Sequence, residues 1–316
     1  MNIVVLDGHT LNPGDLSWDA IAKLGTLTVH PRTTAAELPA RAAHADILLT
    51  NKVPLNAATI NSLPNLKLIS VLATGYNIID TAAARARNIP VSNVPEYSTS
   101  SVAQLVFALL LEMCHHVGHH SDAIRAGEWP KREWCFWDTP LVELEGKTLG
   151  IVGYGRIGQR VGTIAQALGM KVLGHSRRQL GPTSPNFAWA TIDQIFAKSD
   201  AISLHIPLTP ENKGFVNARL LSQMKKDAYL INTARGPLLN DADLAAALHA
   251  GTLAGAALDV ATVEPINPDN PLLTAPNCII TPHYAWATLA ARKRLMQTTT
   301  QNLQAFLSGT PQHVVN

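Results

Sequence analysis

The amino-acid sequence predicts an α/β fold made of two doubly wound parallel-sheet domains. Short apolar runs, each the length of a buried strand, alternate along the chain with longer alanine-rich or amphipathic stretches typical of helices. The chain has 316 residues, of which 47% are hydrophobic, which is enough material for two hydrophobic cores. The predicted strands span residues 3–6, 47–49, 68–71, 148–152, 171–173, 201–204, 228–231, 255–258 and 279–281.

The two domains are expected to be interleaved along the chain. A long helical stretch runs from about residue 100 to residue 126, and a final helical stretch covers about 288–307. We expect residues 1–99 and 285–316 to form one domain, with residues 100–284 inserted as the other. Such an arrangement predicts a cleft between the domains, where ligands commonly bind.

Charge and cysteine content argue against several functional classes. The net charge is only +2 and the basic residues are scattered, so nucleic-acid binding is not expected. The three cysteines are far apart and form no CxxC pair, which disfavours a disulfide framework or a cysteine-rich zinc site. The N-terminus is typical of a first strand and no apolar run is long enough to span a bilayer. We therefore expect a cytoplasmic protein with no membrane partner.

A glycine-rich turn predicts binding of a dinucleotide. The strand at 148–152 leads into GYGRIG at residues 153–158, and a helical pattern and a second strand follow. In this context Gly153, Gly155 and Gly158 permit a tight turn and close approach of the backbone to a pyrophosphate at the helix N-terminus. The same turn contains Arg156 and Ile157. The alternative is a glycine-rich packing turn without a ligand.

The residues after the second strand bear on the choice of cofactor. A carboxylate that holds the adenosine ribose of NAD is expected there, but the chain has Ser176, Arg177 and Arg178 instead. Arginine can bind a 2′-phosphate through its planar fork, so NADP(H) is the favoured cofactor. NAD(H) is the alternative, in which case the two arginines are solvated loop charges.

Three later segments each place a chemically useful side chain after a strand. They are INTARG, which contains Arg235, ALDV, which leads to Glu264, and TPH, which ends in His283. Residues after the carboxyl ends of strands in an open α/β sheet face the ligand crevice. An arginine, a carboxylate and a histidine at that edge suit the reduction of a 2-oxo acid. The alternatives are a structural histidine and a Glu-Pro turn.

These motifs together resemble the D-2-hydroxyacid dehydrogenase family, and most closely its glycerate dehydrogenases, also called hydroxypyruvate or glyoxylate reductases. The resemblance covers nearly the whole chain. Besides the glycine-rich turn it rests on LATGYNIID (72–80), NVPEYSTSSVAQ (93–104), INTARGPLLN (231–240), ALDV with Glu-Pro, and TPH (281–283). It implies two Rossmann/flavodoxin-like domains, the first binding substrate and the inserted one binding NAD(P).

The resemblance also implies a role for each catalytic residue. His283 would supply a proton to the carbonyl oxygen, and Glu264 would favour the imidazolium and fix its tautomer. Arg235 would bind the substrate carboxylate and polarise the carbonyl. The remaining residues that the family pattern assigns are Thr74 and Gly75 for the substrate carboxylate, and Thr233, Ala234 and Asp259 near the nicotinamide.

The implied reaction is reduction of hydroxypyruvate or glyoxylate to D-glycerate or glycolate. Two departures from the family pattern are the absent acid at 175–176 and Tyr284 directly after the histidine. The alternatives are a dinucleotide-sensing interaction protein on the same fold, since fold does not settle function, and a reductase of another 2-oxo acid.

Two further segments stand out. His115, His116, His119 and His120 form HHxxHH on a predicted helix, where i,i+4 pairs could bind a metal ion. We favour a polar helix face near the hinge or a subunit contact, and expect no metal. The segment 129–137 contains three of the six tryptophans, which suggests a homodimer with Trp134 or Trp137 near the partner's cleft. The alternative is burial of these aromatics within one subunit.

Overall fold

A computed structural model describes residues 1–179 and 185–316. The chain divides into two compact units. The first contains Met1–Ser98 and Ala287–Asn316, and the second contains Thr99–Trp286.

The elements of the described residues follow one another in chain order. The strands are β1 (Asn2–Val5), β2 (Thr26–Val29), β3 (Ile47–Thr50), β4 (Leu68–Val71), β5 (Val91–Ser92), β6 (Thr148–Val152), β7 (Lys171–His175), β8 (Phe187–Trp189), β9 (Ala201–Leu204), β10 (Tyr229–Asn232), β11 (Gly255–Leu258) and β12 (Cys278–Ile280). The α-helices are α1 (Gly8–Leu11), α2 (Asp19–Ala22), α3 (Leu38–Ala42), α4 (Ala57–Asn61), α5 (Thr81–Ala86), α6 (Thr99–His115), α7 (Val117–Arg125), α8 (Arg156–Ala167), α9 (Ile192–Lys198), α10 (Ala218–Leu221), α11 (Asp241–His249) and α12 (Leu289–Leu307).

Each unit is built on a parallel sheet. The first has the strand order β2-β1-β3-β4-β5, and the second has β12-β11-β10-β9-β6-β7-β8. The first order is that of flavodoxin-like folds, and the second is the dinucleotide-binding order with one more strand. Apolar side chains cover both faces of the central strands, as in the buried residues of β3 and β9. The predicted α/β class with two parallel sheets is confirmed.

Sequence reasoning missed three strands, and all three lie at sheet edges. β2 and β5 are the outer strands of the first sheet, and β8 is an outer strand of the second. β2 alternates between exposed and half-buried residues, while β5 and β8 have only two and three residues. β2 is partly exposed and has no continuous apolar run, and β5 and β8 are too short to show one, so the signal that identified the central strands is absent from these three.

The prediction of one continuous helix from about residue 100 to residue 126 is wrong. It is divided into α6 and α7, which meet at an angle of 56°. His116 between them has a left-handed φ of 49°. The Glu112 carboxylate then accepts a hydrogen bond from the Gly118 backbone N–H at 3.2 Å, which satisfies a donor in the first turn of α7.

None of the single helices in the described residues is long and apolar enough to cross a membrane; only the bent pair α6 and α7, taken together, has the length and composition.

The final helix, α12, packs within the first unit. The Arg292 guanidinium forms two hydrogen bonds of 2.6 Å with the Asp15 carboxylate and donates to the Leu11 carbonyl at 3.1 Å. Asn302 donates to the Asn93 carbonyl at 2.9 Å. These contacts attach the C-terminal segment to the first sheet.

Candidate active site

The glycine-rich turn has the backbone geometry that a dinucleotide requires. Gly153 directly follows β6. Its φ of 100° lies in the region that favours glycine, and a Cβ at this position would lie 2.6 Å from the His205 carbonyl oxygen. A Cβ on Gly158 would lie 2.3 Å from the Gly153 oxygen, whereas one on Gly155 would meet open space. Gly155 is the N-cap of α8 and provides no side-chain cap, so the first backbone N–H groups of this helix are available to a pyrophosphate.

The residues predicted to favour NADP(H) over NAD(H), which are Ser176, Arg177 and Arg178, follow the strand beside that turn. Val152 pairs with His175 in the register of β6 and β7, and the backbone N–H of Gly153 donates to the His175 carbonyl at 2.9 Å. Ser176 therefore follows the end of β7 next to the turn, and Arg177 and Arg178 come directly after it with exposed side chains.

Sequence reasoning did not identify the aromatic side chains that support the turn. Tyr154 packs against Phe187, with ring centroids 4.7 Å apart, and against Trp189 at 5.5 Å. A Cβ at Gly162 would lie 2.8 Å from the Tyr154 hydroxyl, so glycine on α8 makes room for this ring. The signal was present as the tyrosine of GYG and the helical glycine, but only the folded chain shows that they touch.

His283 and Glu264 form a close pair. The imidazole Nδ1 lies 2.6 Å from Glu264 Oε2, and the two side chains are 24% and 34% exposed. The second carboxylate oxygen, Oε1, accepts from the Ala261 backbone N–H at 3.2 Å. Glu264 is thus held on both oxygens and bonds one nitrogen of a partly exposed imidazole, which is the geometry of an oriented acid–base histidine.

Asp259 holds the turn that contains His283. Its side chain is fully buried, and its carboxylate accepts from the Thr281 hydroxyl at 2.6 Å, the Tyr284 N–H at 3.1 Å and the Ala285 N–H at 2.8 Å. Burial raises the pKa of Asp259, and the hydrogen bonds from these three groups counteract part of that rise. The contacts give Asp259 a positioning role that sequence reasoning missed.

Two more residues bind the same turn. The Trp286 indole N–H donates to the His283 carbonyl at 2.9 Å, and the Ser101 hydroxyl, at the start of α6, donates to the Ala285 carbonyl at 2.5 Å. His283 itself has a φ of 54°, which is uncommon for a residue other than glycine. Hydrogen bonds on both sides of His283 therefore hold it in this conformation.

Arg235 lies in a loop that follows β10. The Asn232 side chain donates to the Arg235 carbonyl at 2.9 Å and accepts from the Ala234 N–H at 3.0 Å. A Cβ on Gly236 would lie 2.0 Å from the Ala261 backbone, so glycine lets this loop pack against the segment leading to Glu264. Thr233 has a buried hydroxyl that makes no hydrogen bond within the described residues.

The loops that contain Arg235, Glu264 and His283 follow neighbouring strands of the second sheet. Arg235 comes after β10, Glu264 after β11 and His283 after β12, and these strands are adjacent in the sheet. Because the strands are parallel, all three loops leave from the carboxyl edge, which is also the edge of the glycine-rich turn.

Thr74 and Gly75 belong to the first unit, in the loop after β4. The Thr74 hydroxyl donates to the Val94 carbonyl at 2.8 Å, and Asn93 donates to the Thr74 carbonyl at 2.8 Å. Sequence reasoning missed Asn51, whose side chain donates to the Leu72 carbonyl at 2.5 Å and fixes the start of this loop.

The histidine cluster does not form the predicted i,i+4 pairs on one helix. His116 interrupts the helix, so His115 and His119 lie on different segments. His119 Nε2 instead lies 2.8 Å from the Asp138 carboxylate, and His120 Nε2 accepts from the Asp138 N–H at 3.3 Å. In residues 1–179 and 185–316, no group of three or more metal-ligating side chains is present.

The aromatic segment 129–137 is open to solvent. Trp134 is 89% exposed and Trp137 is 62% exposed. Trp129 donates its indole N–H to the Trp134 carbonyl at 3.1 Å, so the segment is ordered by its own contacts. Burial of Trp134 and Trp137 within one chain, the alternative that the sequence left open, is wrong.

The chain is similar to known proteins over its whole length. Residues 107–285 match the model of the D-isomer specific 2-hydroxyacid dehydrogenase NAD-binding domain. A hydroxypyruvate reductase from Blautia hydrogenotrophica is 49% identical over 321 residues, covering 100% of both chains. A glycerate dehydrogenase from Methylorubrum extorquens is 41% identical over 285 residues, covering 89% of each chain.

The chain is also similar in structure to solved proteins. An acyclic imino acid reductase in complex with NADPH and D-Arg superposes with a TM-score of 0.88 at 31% identity, with 100% of both chains covered. The NAD-binding-domain match and that complex confirm the prediction of a nicotinamide cofactor. The chain belongs to the D-isomer specific 2-hydroxyacid dehydrogenase family.

Proposed function

We propose that the protein is an NADP-preferring reductase that converts hydroxypyruvate or glyoxylate into D-glycerate or glycolate. The observation that carries the proposal is the 2.6 Å pair of His283 and Glu264, on loops adjacent in the sheet to the loop of Arg235. The names of the similar hydroxypyruvate reductase and glycerate dehydrogenase support the choice of substrate.

The reaction needs a hydride at the carbonyl carbon and a proton at the carbonyl oxygen. A reduced nicotinamide bound at the glycine-rich turn would supply the hydride and its two electrons. His283 supplies the proton from Nε2, because Nδ1 faces the Glu264 carboxylate. The negative charge of Glu264 stabilises the imidazolium before transfer and fixes the orientation of the ring afterwards.

The residues that we propose for binding the substrate carboxylate are Arg235, Thr74 and Gly75. Arg235 offers a planar guanidinium that can form two hydrogen bonds with a carboxylate. Thr74 and Gly75 offer backbone N–H groups in a loop that Asn93 and Asn51 hold. We therefore propose that the first unit binds substrate and the second binds the cofactor.

The residues present fit a nicotinamide dinucleotide. The open space at Gly155 and the uncapped start of α8 suit the pyrophosphate, with Arg156 and Ile157 in the first turn. Thr233, Ala234 and Asp259 lie on the carboxyl edge, where the nicotinamide would bind, and the buried Thr233 hydroxyl makes no hydrogen bond to any residue that the structure describes. Asp259 contributes mainly by holding the turn of His283.

The preference for NADP rests on Ser176, Arg177 and Arg178. Their place beside Gly153 is where a 2′-phosphate would lie, and no carboxylate occurs at 175–178 to accept ribose hydroxyls. Two exposed guanidinium groups would hold the phosphate by charge-assisted hydrogen bonds.

We also propose a homodimer in the cytoplasm, with the aromatic segment at the subunit contact. Two tryptophans this exposed would leave a large apolar surface in contact with water in an isolated chain, which is unfavourable. Aromatic side chains are also enriched in interfaces. The three cysteines are all free thiols, which suits a reducing compartment.

The first prediction tests the activity. Purified protein should reduce hydroxypyruvate and glyoxylate faster than pyruvate, with NADPH oxidation followed by absorbance. Replacing His283 with Ala should lower kcat by roughly 10²–10⁴-fold, the usual share of general acid–base catalysis. The control is His249→Ala, an exposed histidine at the end of α11. Cofactor binding without turnover in the unmodified protein would favour the dinucleotide-sensing alternative.

The second prediction tests the cofactor choice. Arg177→Ala should lower kcat/KM with NADPH by about 10- to 100-fold through loss of a charge-assisted hydrogen bond, with little change for NADH. Arg219→Ala, at an exposed arginine of α10 in the same unit, is the matched control. An unchanged NADPH/NADH ratio in the Arg177 variant would mean that the arginines are solvated loop charges.

The third prediction concerns assembly. The protein should sediment as a dimer at micromolar concentration, and Trp134→Ala combined with Trp137→Ala should shift it toward monomer because interface aromatics contribute much of the binding energy. Leu307→Ala removes an exposed apolar side chain from the first unit and serves as the control. Sedimentation of the unmodified protein as a monomer would rule out this contact.

A further inference from the structure

A buried asparagine on the final helix is joined to the loop of Thr74 and Gly75 by a chain of hydrogen bonds. Asn302, on α12, is 1% exposed, and Asn93, directly after β5, is 8% exposed. The Asn302 side chain donates to the Asn93 carbonyl at 2.9 Å, and the Asn93 side chain donates to the Thr74 carbonyl at 2.8 Å. All of these residues belong to the first unit. A single residue therefore connects α12 to the loop proposed to bind the substrate carboxylate.

Asn93 is held by its backbone as well as by its side chain. Its N–H donates to the His313 carbonyl at 3.1 Å. The backbone N–H, the carbonyl and the side-chain amide of Asn93 thus each have a partner from a different segment of the chain. Because these three partners restrict Asn93 to one orientation, a displacement at Asn302 moves the Thr74 carbonyl as well.

His313 fixes the orientation of the Asn302 amide. The imidazole Nδ1 lies 2.8 Å from Asn302 Oδ1. Since the amide nitrogen of Asn302 donates to Asn93, this oxygen accepts, and Nδ1 of His313 carries the hydrogen. His313 has a left-handed φ of 51°, which persists in a residue other than glycine where contacts impose it. Its side chain and its carbonyl provide two such contacts, with Asn302 and Asn93.

The loop of Thr74 and Gly75 is attached to the segment of Asn93 at two further points. The Thr74 hydroxyl donates to the Val94 carbonyl at 2.8 Å, and the Val94 N–H donates to the Ala73 carbonyl at 3.0 Å. In the part of the chain that the structure describes, the backbone N–H groups of Thr74 and Gly75 donate to no acceptor. These two N–H groups suit an anion, and their position depends on the segment of Asn93.

We propose that Asn302 is a positioning residue for the substrate carboxylate. Through Asn93 it holds the backbone N–H groups of Thr74 and Gly75 where the carboxylate binds. Asn302 has this role only if the proposed function is right, since that function assigns the carboxylate to this loop. Loss of the Asn302 side chain leaves the buried Asn93 carbonyl without its donor, which is unfavourable and favours movement of the segment.

The first test is the steady-state kinetics of Asn302→Ala. KM for hydroxypyruvate and for glyoxylate should rise about tenfold, because the N–H groups that bind the carboxylate lose their alignment. kcat should stay within about threefold, since the carboxylate is bound alike in the ground state and the transition state, and KM for the reduced cofactor within about twofold. Gln301→Ala, at an exposed neighbour on the same helix, is the matched control.

A double variant tests whether Asn302 acts through Asn93. Asn93→Ala should raise KM for both 2-oxo acids by about tenfold or more, and the addition of Asn302→Ala should raise it by less than about twofold further. Independent effects would multiply instead. His313→Ala removes only the outer partner of Asn302 and should raise KM about threefold. It replaces Asn302→Ala in both experiments if that variant does not fold, as judged by circular dichroism.

Hydrogen exchange provides a readout without turnover. In Asn302→Ala, the backbone N–H groups of Asn93 and Val94 should exchange at least about tenfold faster than in the unmodified protein, because the segment that contains them has lost a contact with α12. The N–H groups of β9, in the second unit, should keep their exchange rates.

Three kinetic results would overturn the proposal. One is an unchanged KM for both 2-oxo acids in a folded variant at Asn302 or His313. Another is a fall in kcat with an equal rise in KM for the cofactor, which indicates general damage to the fold. The third is multiplication of the KM effects in the double variant. Absence of turnover in the unmodified protein would instead contradict the proposed function, and unchanged hydrogen exchange at Asn93 and Val94 would then show that Asn302 does not hold the loop.

Discussion

The buried carboxylate of Asp259 is the interaction on which the rest of the site depends. It takes hydrogen bonds from one hydroxyl and two backbone N–H groups of a single turn, and His283 lies within that turn. The left-handed backbone of His283 costs of order 1–3 kcal/mol and persists only where surrounding contacts impose it. Asp259 provides such contacts. They hold the turn in one backbone conformation, in which the imidazole contacts Glu264.

Parallel pairing explains how residues distant in sequence reach one edge. The loops of Arg235, Glu264 and His283 leave adjacent strands in the same direction, and Gly236 allows two of these loops to pack together. The glycine-rich turn opens on the same edge, after β6. Sheet geometry thereby brings the glycine-rich turn and the loops of Arg235, Glu264 and His283 to one edge, and only short loops need specific sequences.

Sequence reasoning succeeded where a residue's chemistry or a buried strand dictates the pattern. The nine predicted strands lie within or overlap strands of the structure, and the motifs that contain Glu264 and His283 provide two side chains that lie 2.6 Å apart. It failed where the outcome depends on tertiary contacts: edge strands lack a continuous apolar run, His116 breaks a helix, and the contacts of Asp259 and Tyr154 join distant segments. The histidine motif likewise has Asp138 as its partner, 19 positions from His119.

The most direct test of the account is the pH dependence of both reaction directions in the unmodified protein and in Glu264→Gln. Reduction requires the imidazolium of His283, so kcat for reduction should fall from acid to alkaline pH while kcat for oxidation of the hydroxy acid rises. Loss of the Glu264 charge, with the hydrogen-bonding shape kept, should lower kcat for reduction, because it removes the anion that lies 2.6 Å from Nδ1 of the proton donor. A reduction rate that stays flat across this range, or a kcat for reduction that Glu264→Gln leaves unchanged, would contradict the account.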